Sequence, residues 1–409
     1  MTTTAPQLLP YLERLLDGET VEWKTLGEVA ELYTGLSGKN KEHFQKGNAP
    51  YVTYKNIFEN LAVDSSILEM VSIGANEHQH AVQYGDVLIT GSSENIEEVG
   101  MSSVVTFYPK TEIYLNSFSF GIRFHSSVQL SPEFTKYLFR SDLLRKQIMK
   151  TASGVTRFNV SKKKFSTIII PLPPLRVQAH IVEILDKFTQ LEAELEAELE
   201  ARNKQYDFYR NRLLDFAHRD DLAGQVEWKT LGEICENLDS QRRPITSSKR
   251  KKGIYPYYGA SGIVDFVESY IYEGDYLLVS EDGANLLARN TPIAFSISGK
   301  NWVNNHAHVL KFDTYEGRKF VEYYLNQIDL KPYISGAAQP KLNQNNLNSI
   351  PIPLPPLSEQ RRIVEILDRF DTLTNSISEG LPREIALRRK QYEYYRDALL
   401  RFPPPAPTA

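Results

Sequence analysis

Much of this chain is written twice, in the same order, and nothing else in the sequence restricts the fold as strongly. Val21-Glu22-Trp23-Lys24-Thr25-Leu26-Gly27-Glu28 returns unchanged at 226–233, and Ile170-Pro171-Leu172-Pro173-Pro174-Leu175 has its second copy at 352–357 as Ile-Pro-Leu-Pro-Pro-Leu. Ile181-Val182-Glu183-Ile184-Leu185-Asp186 follows in step at 363–368, and Lys204-Gln205-Tyr206 with Tyr209-Arg210 returns as Lys390-Gln391-Tyr392 with Tyr395-Arg396. Weaker echoes lie between: Gly85-Asp86 with Gly274-Asp275, Asn116 with Asn304, and Ser153-Gly154 with Ser335-Gly336. Self-similarity in a fixed order implies repeated supersecondary units and internal symmetry. Each copy is expected to be a globular part followed by a long helical part.

The globular parts, roughly 21–170 and 226–352, carry short β-type runs such as Asp86-Val87-Leu88-Ile89-Thr90 and Asp275-Tyr276-Leu277-Leu278-Val279, bounded by Gly and Asn turns. Phe134 to Met149 and Arg318 to Gln327 read as short helices. A Pro-Pro pair stands ahead of each helical part, since proline is tolerated only in a first turn. From Ile181 the apolar positions run Ile184, Phe188, Leu191, Leu195, Leu199, Tyr206, Tyr209, Leu213 and Phe216, the a/d seam of a coiled coil. About forty residues at ~1.5 Å rise make a rod of roughly 60 Å. The second copy contains Gly380-Leu381-Pro382, which predicts a bend or break before the helix resumes at Arg383. In the first copy, Leu-Glu-Ala tetrapeptides begin at Leu191, Leu195 and Leu199. Each adds ~6 Å and rotates the rest of the helix by only ~40°, so repeat number acts as a length adjustment. The expected fold is α+β: two mixed α/β domains separated by two long helices that form an antiparallel coiled coil, with a pseudo-two-fold repeat. The expected boundaries are an N-terminal segment 1–20, a first domain 21–174, a central helix 175–218, a second domain 219–356, a distal helical region 357–402 and a Pro/Ala tail 403–409.

Composition excludes more than it selects. With 41% hydrophobic and 24% charged residues the chain is ordinary globular material, and at 409 residues it has length for two to three domains. The single Cys235 excludes a disulfide framework and a cysteine-based zinc cluster within the chain. The first 18 residues lack a basic start and a continuous apolar stretch, and no run approaches the ~20 apolar residues of a membrane span. A cytoplasmic chain with no membrane partner is expected. A net charge of −4 offers no overall attraction for nucleic acid, yet charge is segregated along the chain. Residues 241–252 carry Arg242, Arg243, Lys249, Arg250, Lys251 and Lys252 without an acid and lead into Tyr255, Tyr257 and Tyr258. A second window holds Lys150, Arg157, Lys162, Lys163 and Lys164.

Enzyme motifs fare less well. The Asn/Asp-Pro-Pro-Phe/Tyr loop of an adenine methyltransferase is absent. Glu22-Trp23-Lys24 and Glu227-Trp228-Lys229 fit the Glu-x-Lys half of a nuclease metal site, but they recur in matching framework without a well-spaced upstream Asp, and read as strand starts packed around Trp23 and Trp228. Gly35-Leu36-Ser37-Gly38-Lys39 lacks the phosphate-wrapping spacing. His78/His80 and His306/His308 each place two imidazoles on one face if extended, but no further ligand lies near, so they read as solvated or DNA-facing. Glu281-Asp282 reads as a turn, with a carboxylate accepting from cytosine N4 as the alternative. No metal ligands are assigned.

The order of repeats resembles that of the specificity subunit of type I restriction-modification systems, over nearly the whole chain. The Pro-Leu-Pro-Pro-Leu turns, Glu359-Gln360-Arg361-Arg362-Ile363-Val364, the Lys-Gln-Tyr-x-x-Tyr-Arg helices and Ser335-Gly336-Ala337-Ala338-Gln339-Pro340-Lys341-Leu342 resemble its conserved parts. The tetrapeptide array is similar to that of the type IC subgroup. One departure is Arg176-Val177-Gln178-Ala179-His180 in the first copy against Ser358-Glu359-Gln360-Arg361-Arg362 in the second, where partner contacts are expected to differ. The resemblance implies two target-recognition domains reading a split, asymmetric site in double-stranded DNA, a gap set by repeat number, and no catalysis by this chain alone. It implies two modification subunits, restriction subunits in the larger complex, and S-adenosylmethionine, ATP and Mg2+ on those partners, with no cofactor here.

On that reading, Arg157, Lys162, Lys163, Lys164, Arg242, Arg243, Lys249, Arg250, Lys251, Lys252 and Lys341 are DNA-binding candidates that mostly grip phosphate, while Arg157, Gln339, Asn343 and Gln344 are candidates for base edges. Gln205, Tyr206 and Tyr209, with Gln391, Tyr392 and Tyr395, form a duplicated partner surface, because near-identical patches bind two copies of one partner. Leu191, Leu195 and Leu199 mark the spacer. A self-contained nuclease or methyltransferase with duplicated domains and a coiled-coil protein adaptor are the alternatives. Activity of the purified chain favours the first, and failure to bind any duplex favours the second.

Overall fold

The computed structural model describes residues 10–336 and 339–403. Ala337 and Ala338, the first nine residues of the expected N-terminal segment and the tail from 404 onward lie outside the described residues. The chain forms two compact units, one made of residues up to Glu194 together with those from Ile385, the other of Leu195–Glu384. These units cut across the expected boundaries, because each combines one globular domain with helical segments from both copies.

The repeated Glu-Trp-Lys-Thr-Leu-Gly-Glu has the same structure twice. Glu22–Thr25 is a strand antiparallel to Ile169–Leu172, and Glu227–Thr230 is a strand antiparallel to Pro351–Leu354. Thr25 and Thr230 then start a helical turn through a capping box, their N–H groups donating to Glu28 and Glu233 at 2.7 Å. The Glu and Lys of each Glu-Trp-Lys pair with each other, Glu22 to Lys24 at 2.9 Å and Glu227 to Lys229 at 3.3 Å. Packing around the two tryptophans is unequal. Trp23 is half-buried and donates to the Pro403 carbonyl at 2.9 Å, whereas Trp228 is 52% exposed, a correction to the expectation that both are packed.

In the first unit an antiparallel sheet runs in the order Ala30–Thr34, Ser119–Phe124, Val87–Thr90, Ser102–Val104. Helices Pro132–Leu138 and Asp142–Thr151 close a core around Val87, Ile89, Phe120, Phe134, Tyr137 and Ile148. Ser141 separates those helices by capping the second, its hydroxyl accepting from the Leu144 N–H. In the second unit a six-stranded sheet runs Glu236–Asn237, Ala307–Lys311, Tyr272–Ser280, Ala294–Val303, Lys252–Gly259, Gly262–Val267. Its first three strands take the places of Ala30–Thr34, Ser119–Phe124 and Val87–Thr90, so the repeat that fades in sequence persists in topology.

One helix, Leu175–Leu214, spans 40 residues and enters both units. Within the first unit it runs antiparallel to Gly380–Leu399: Phe188 stacks on Tyr395 at 5.2 Å, and Arg389 Nε reaches Glu192 at 2.7 Å. Within the second it runs antiparallel to Leu357–Asn375, with Tyr206 and Tyr209 stacked on Phe370 at 5.9 and 5.6 Å. Leu191, Leu195 and Leu199 are half-buried while Glu194, Glu196, Glu198 and Glu200 are exposed, as a seam requires. Phe216 is not part of that seam; it lies beyond the helix end and packs edge-on against Phe320.

The break in the second copy falls earlier than expected, between Asn375 and Gly380, and Gly380-Leu381-Pro382 opens the next helix instead of ending one. Proline costs nothing in a first turn. Gly380 has φ +74°, and a Cβ there would sit 2.3 Å from the Thr372 carbonyl oxygen, so the reversal admits only glycine. Two further repeated residues fasten each domain to its helical part. Tyr137 and Tyr323 donate to Asp186 and Asp368 at 2.5 and 2.6 Å, and the buried Gln178 and Gln360 donate to the Pro173 and Pro355 carbonyls at 2.8 and 2.9 Å.

Candidate nucleic-acid interface

In each domain the same three segments meet at one end of the sheet. The first is a turn held by a buried asparagine. Asn116 accepts from the Phe118 N–H at 3.0 Å and Asn304 from the His306 N–H at 2.8 Å, which leaves Phe118 66% exposed and His306 also at the surface. The second is the end of the equivalent central strand, Gly91-Ser92 in one domain and Glu281-Asp282 in the other. The third is a tight hairpin in which Ser153 pairs with Asn159, and Ser335 with Lys341. Gly154 and Gly336 have φ of +148° and +82°, and a Cβ at either would meet the carbonyl oxygen of Arg157 or Gln339 at 1.9 or 2.5 Å. Only glycine permits that hairpin. A short helix follows each, capped by Ser161 and Asn343. The frame is shared; the side chains it presents are not.

In the first domain the presented groups are aromatic and basic. A cavity of about 560 Å³ is lined by Tyr54, Phe58, Ser92, Glu98, Phe118 and Arg157, and a neighbouring one of about 500 Å³ shares Tyr54, Lys55 and Phe118 with it. Arg157 donates through Nε and Nη2 to Ser92 Oγ at 3.1 and 2.9 Å, and its Nη1 has no protein partner among the described residues. Lys162, Lys163 and Lys164 are exposed on the following turn, the Lys162 ammonium lying 5.5 Å from the Phe120 ring, where burial lowers its pKa.

In the second domain the frame rests on a buried ionic network. His308 is fully buried, with Nδ1 2.5 Å from Asp239 and Nε2 2.7 Å from the Leu342 carbonyl. Arg242 reaches Glu281 at 2.5 Å and the Ala307 carbonyl at 2.9 Å, and Lys341 reaches Glu281 at 3.1 Å. Burial pushes the Asp239 carboxyl up, but its hydrogen bond and charge interaction with His308 outweigh that; burial likewise opposes the bond from Arg242 at Glu281, and both carboxyls end below the usual range. Asp239, Glu281 and His308 are the one cluster of three possible metal ligands among the described residues. Both imidazole nitrogens already face oxygen acceptors and two cations neutralise the carboxylates, so the cluster holds the 335–341 hairpin and does not suit a metal.

Several sequence expectations are corrected here. Arg242 is committed to that network, and Arg250 lies 4.5 Å over the Tyr257 ring while bonding the Ile245 carbonyl and Asp265, so neither is free to grip phosphate. Asn343 is a helix cap, its Oδ1 accepting from the Asn346 N–H at 2.9 Å, which fixes the side chain and commits one lone pair to the protein. His308 is core, whereas His306 is exposed and bonded to Asp282 at 2.8 Å. Arg243, Lys249, Lys251, Lys252, Gln339, Lys341 and Gln344 are exposed, Lys251 sharing a surface pair with Glu268.

Of the expected partner surface, Tyr206 and Tyr392 are only 8% exposed, packed against Phe370 and Tyr137, and burial pushes both hydroxyls up to about 12. They are interior residues. Tyr209 and Tyr395 remain at the surface, and beside each stands a more exposed ring, Phe208 at 58% and Tyr394 at 63%, in edge-to-face contact at 5.5 and 5.4 Å. Gln205 and Gln391 accept from Arg202 and Arg388 one turn away. Phe208 and Tyr394 escape a search for identical residues because one copy has Phe and the other Tyr; a comparison by side-chain class brings them out.

The sequence pattern of the type I restriction modification DNA specificity domain matches residues 18–201 and again 225–387. The chain belongs to that family. It is 32% identical to the EcoR124I/EcoR124II specificity subunit of Escherichia coli, over 97% of this chain and 98% of that one. It is also 32% identical to the Escherichia coli EcoprrI specificity subunit, over 91% and 92%. A specificity subunit of Haemophilus influenzae, S.HindORF215P, is 42% identical over 44% of this chain, and the match spans 47% of that relative's length. Among solved structures, a chain from a type I R-M system described for complex assembly and conformational transition aligns with a TM-score of 0.61 at 19% identity, over 97% of this chain and 99% of that one. The S subunit from M. genitalium aligns at 0.54 and 17%, over 95% and 98%. The fold is thus shared across large sequence divergence. Among the described residues no helix is long and apolar enough to cross a membrane.

Proposed function

We propose that the chain is the sequence-recognition subunit of a type I restriction-modification complex, reading a split, asymmetric DNA target and directing methylation and ATP-dependent cleavage performed by partner subunits. The observation that carries this is the common frame bearing unlike groups: Phe118, Ser92 and Arg157 in one domain stand where His306, Asp282 and Gln339 stand in the other. A duplicated scaffold with diverged tips is suited to two half-sites of different sequence. Arg157, Gln339, Gln344 and His306 face base edges on this reading, and Lys162–Lys164, Arg243, Lys249, Lys251 and Lys252 grip phosphate. The duplicated aromatic pairs Phe208/Tyr209 and Tyr394/Tyr395 anchor two modification subunits that bring S-adenosylmethionine; ATP and Mg2+ belong to partners in the larger complex. The Leu-Glu-Ala array sets the gap as in the type IC subgroup. A DNA target places this work in the cytoplasm. Mapping methylated adenines in cells that express the chain with its modification partner tests the proposal: a bipartite motif with two unlike halves is expected, and methylation without a defined motif refutes it.

A further inference from the structure

We propose that Phe118 reads a thymine in the half-site of the first domain, its ring packing on the C5 methyl group, and that His306 makes a polar base contact from the equivalent place in the second domain. The inference rests on the recognition reading above. Phe118 is 66% exposed, yet its backbone is fixed on both sides: Asn116 Oδ1 accepts its N–H at 3.0 Å, and its carbonyl accepts from the Gly91 N–H at 2.8 Å. A large apolar ring exposed on a fixed backbone gains from being covered. It stands between the two cavities of the first domain, beside Arg157. Glu94 and Glu98 balance Lys55 and Arg157 in the lining of the same cavity, so on this reading the concavity faces base edges, while Lys162, Lys163 and Lys164, with no acid among them, face the backbone. Among bases in the major groove, thymine alone offers an apolar substituent, and phenylalanine is one of its partners. His306 sits on the same asparagine turn, its Nδ1 bonded to Asp282 and its Nε2 without a hydrogen-bond partner among the described residues. One position of a shared frame is therefore apolar in one domain and polar in the other.

The test uses the full chain assembled with its modification partner and duplexes carrying the mapped target, each thymine replaced in turn by deoxyuridine, which lacks only the methyl group. One replacement in one half-site is expected to weaken binding about fourfold, the worth of one buried methyl. Phe118→Ala is expected to remove that dependence, and Phe118→Leu to keep part of it. An unchanged profile in the other half-site reports that the variants are folded. If no thymine is methyl-sensitive, or if the sensitivity survives in Phe118→Ala, the inference is overturned. A wild-type complex that selects no target at all overturns the recognition reading instead.

Discussion

Arg242 and Lys249 belong to one basic run, and the fold gives them opposite roles. Two acids claim Arg242: Asp239, three residues earlier, at 3.3 Å, and Glu281 at 2.5 Å, which is 39 residues away and so invisible to any local reading of charge. Replacing Lys249, Lys251 and Lys252 with Ala is expected to weaken DNA binding for all sequences and to flatten its salt dependence by roughly 0.9 per lost phosphate contact. Anisotropy titrations across a salt series check this, and an unaltered slope contradicts it. Arg242→Ala instead leaves Glu281 with Lys341 alone of its two cations and is expected to cost about 2 kcal/mol of stability in the second domain, read by chemical denaturation. The same network has a pH signature. Asp239 and Glu281 titrate below their ordinary range when folded, so they contribute stability above the unfolded carboxyl pKa of about 4, and that contribution is lost as pH falls through the folded values. Tryptophan fluorescence from Trp228 and Trp302 is expected to show the loss, and Asp239→Asn to reduce its steepness; coincident profiles would speak against the network. The first domain has Phe120 in the strand position of His308 and so has no counterpart of this network there. His306 and His308 read alike in the sequence, and nothing local to His308 tells a buried ion pair from a solvated imidazole.

At the level of elements, the helices were the most legible part. Proline pairs, tetrapeptides and repeated tyrosines foretold Leu175–Leu214 and a break in the second copy, because helix starts and seams leave local marks. Facing was harder to read. Tyr206 and Tyr209 are both spaced for the seam and both stack on Phe370, yet one is interior and the other peripheral. The Tyr137–Asp186 and Tyr323–Asp368 bonds join residues 49 and 45 apart, and their repetition went unseen because the intervening helices share little sequence. Tyr137→Phe is expected to cost about 1 kcal/mol in a denaturation midpoint, since Asp186 keeps Lys136 at 3.1 Å. No change in the midpoint would mean that the bond is replaced by water at no cost. Gly380→Ala, with a Cβ forced against the Thr372 carbonyl, is expected to destabilise the helix junction by at least ~1 kcal/mol on the same measurement.

For the molecule as a whole, duplication was readable because the framework is repeated nearly verbatim, while the recognition tips were not, because they are where the copies differ. Deleting Leu195–Glu198 shortens the long helix by ~6 Å and keeps most of its seam, as four residues nearly close one turn. Methylation mapping of that variant is expected to return the same two half-sites with a gap shorter by about one base pair; an unchanged gap or altered half-sites would end the spacer reading. The make-up of the two units also bears on how the chain comes off the ribosome. The second unit is contiguous from Leu195 to Glu384, but the core of the first joins Leu12, Leu15 and Leu16 to Tyr392, Leu399, Leu400 and Phe402. Order of synthesis and order of completion are therefore reversed: the domain translated first must wait, partly open, until the final turns of the last helix emerge. In a chain truncated after Glu384 and released, protease is expected to spare the later domain and cut the earlier one.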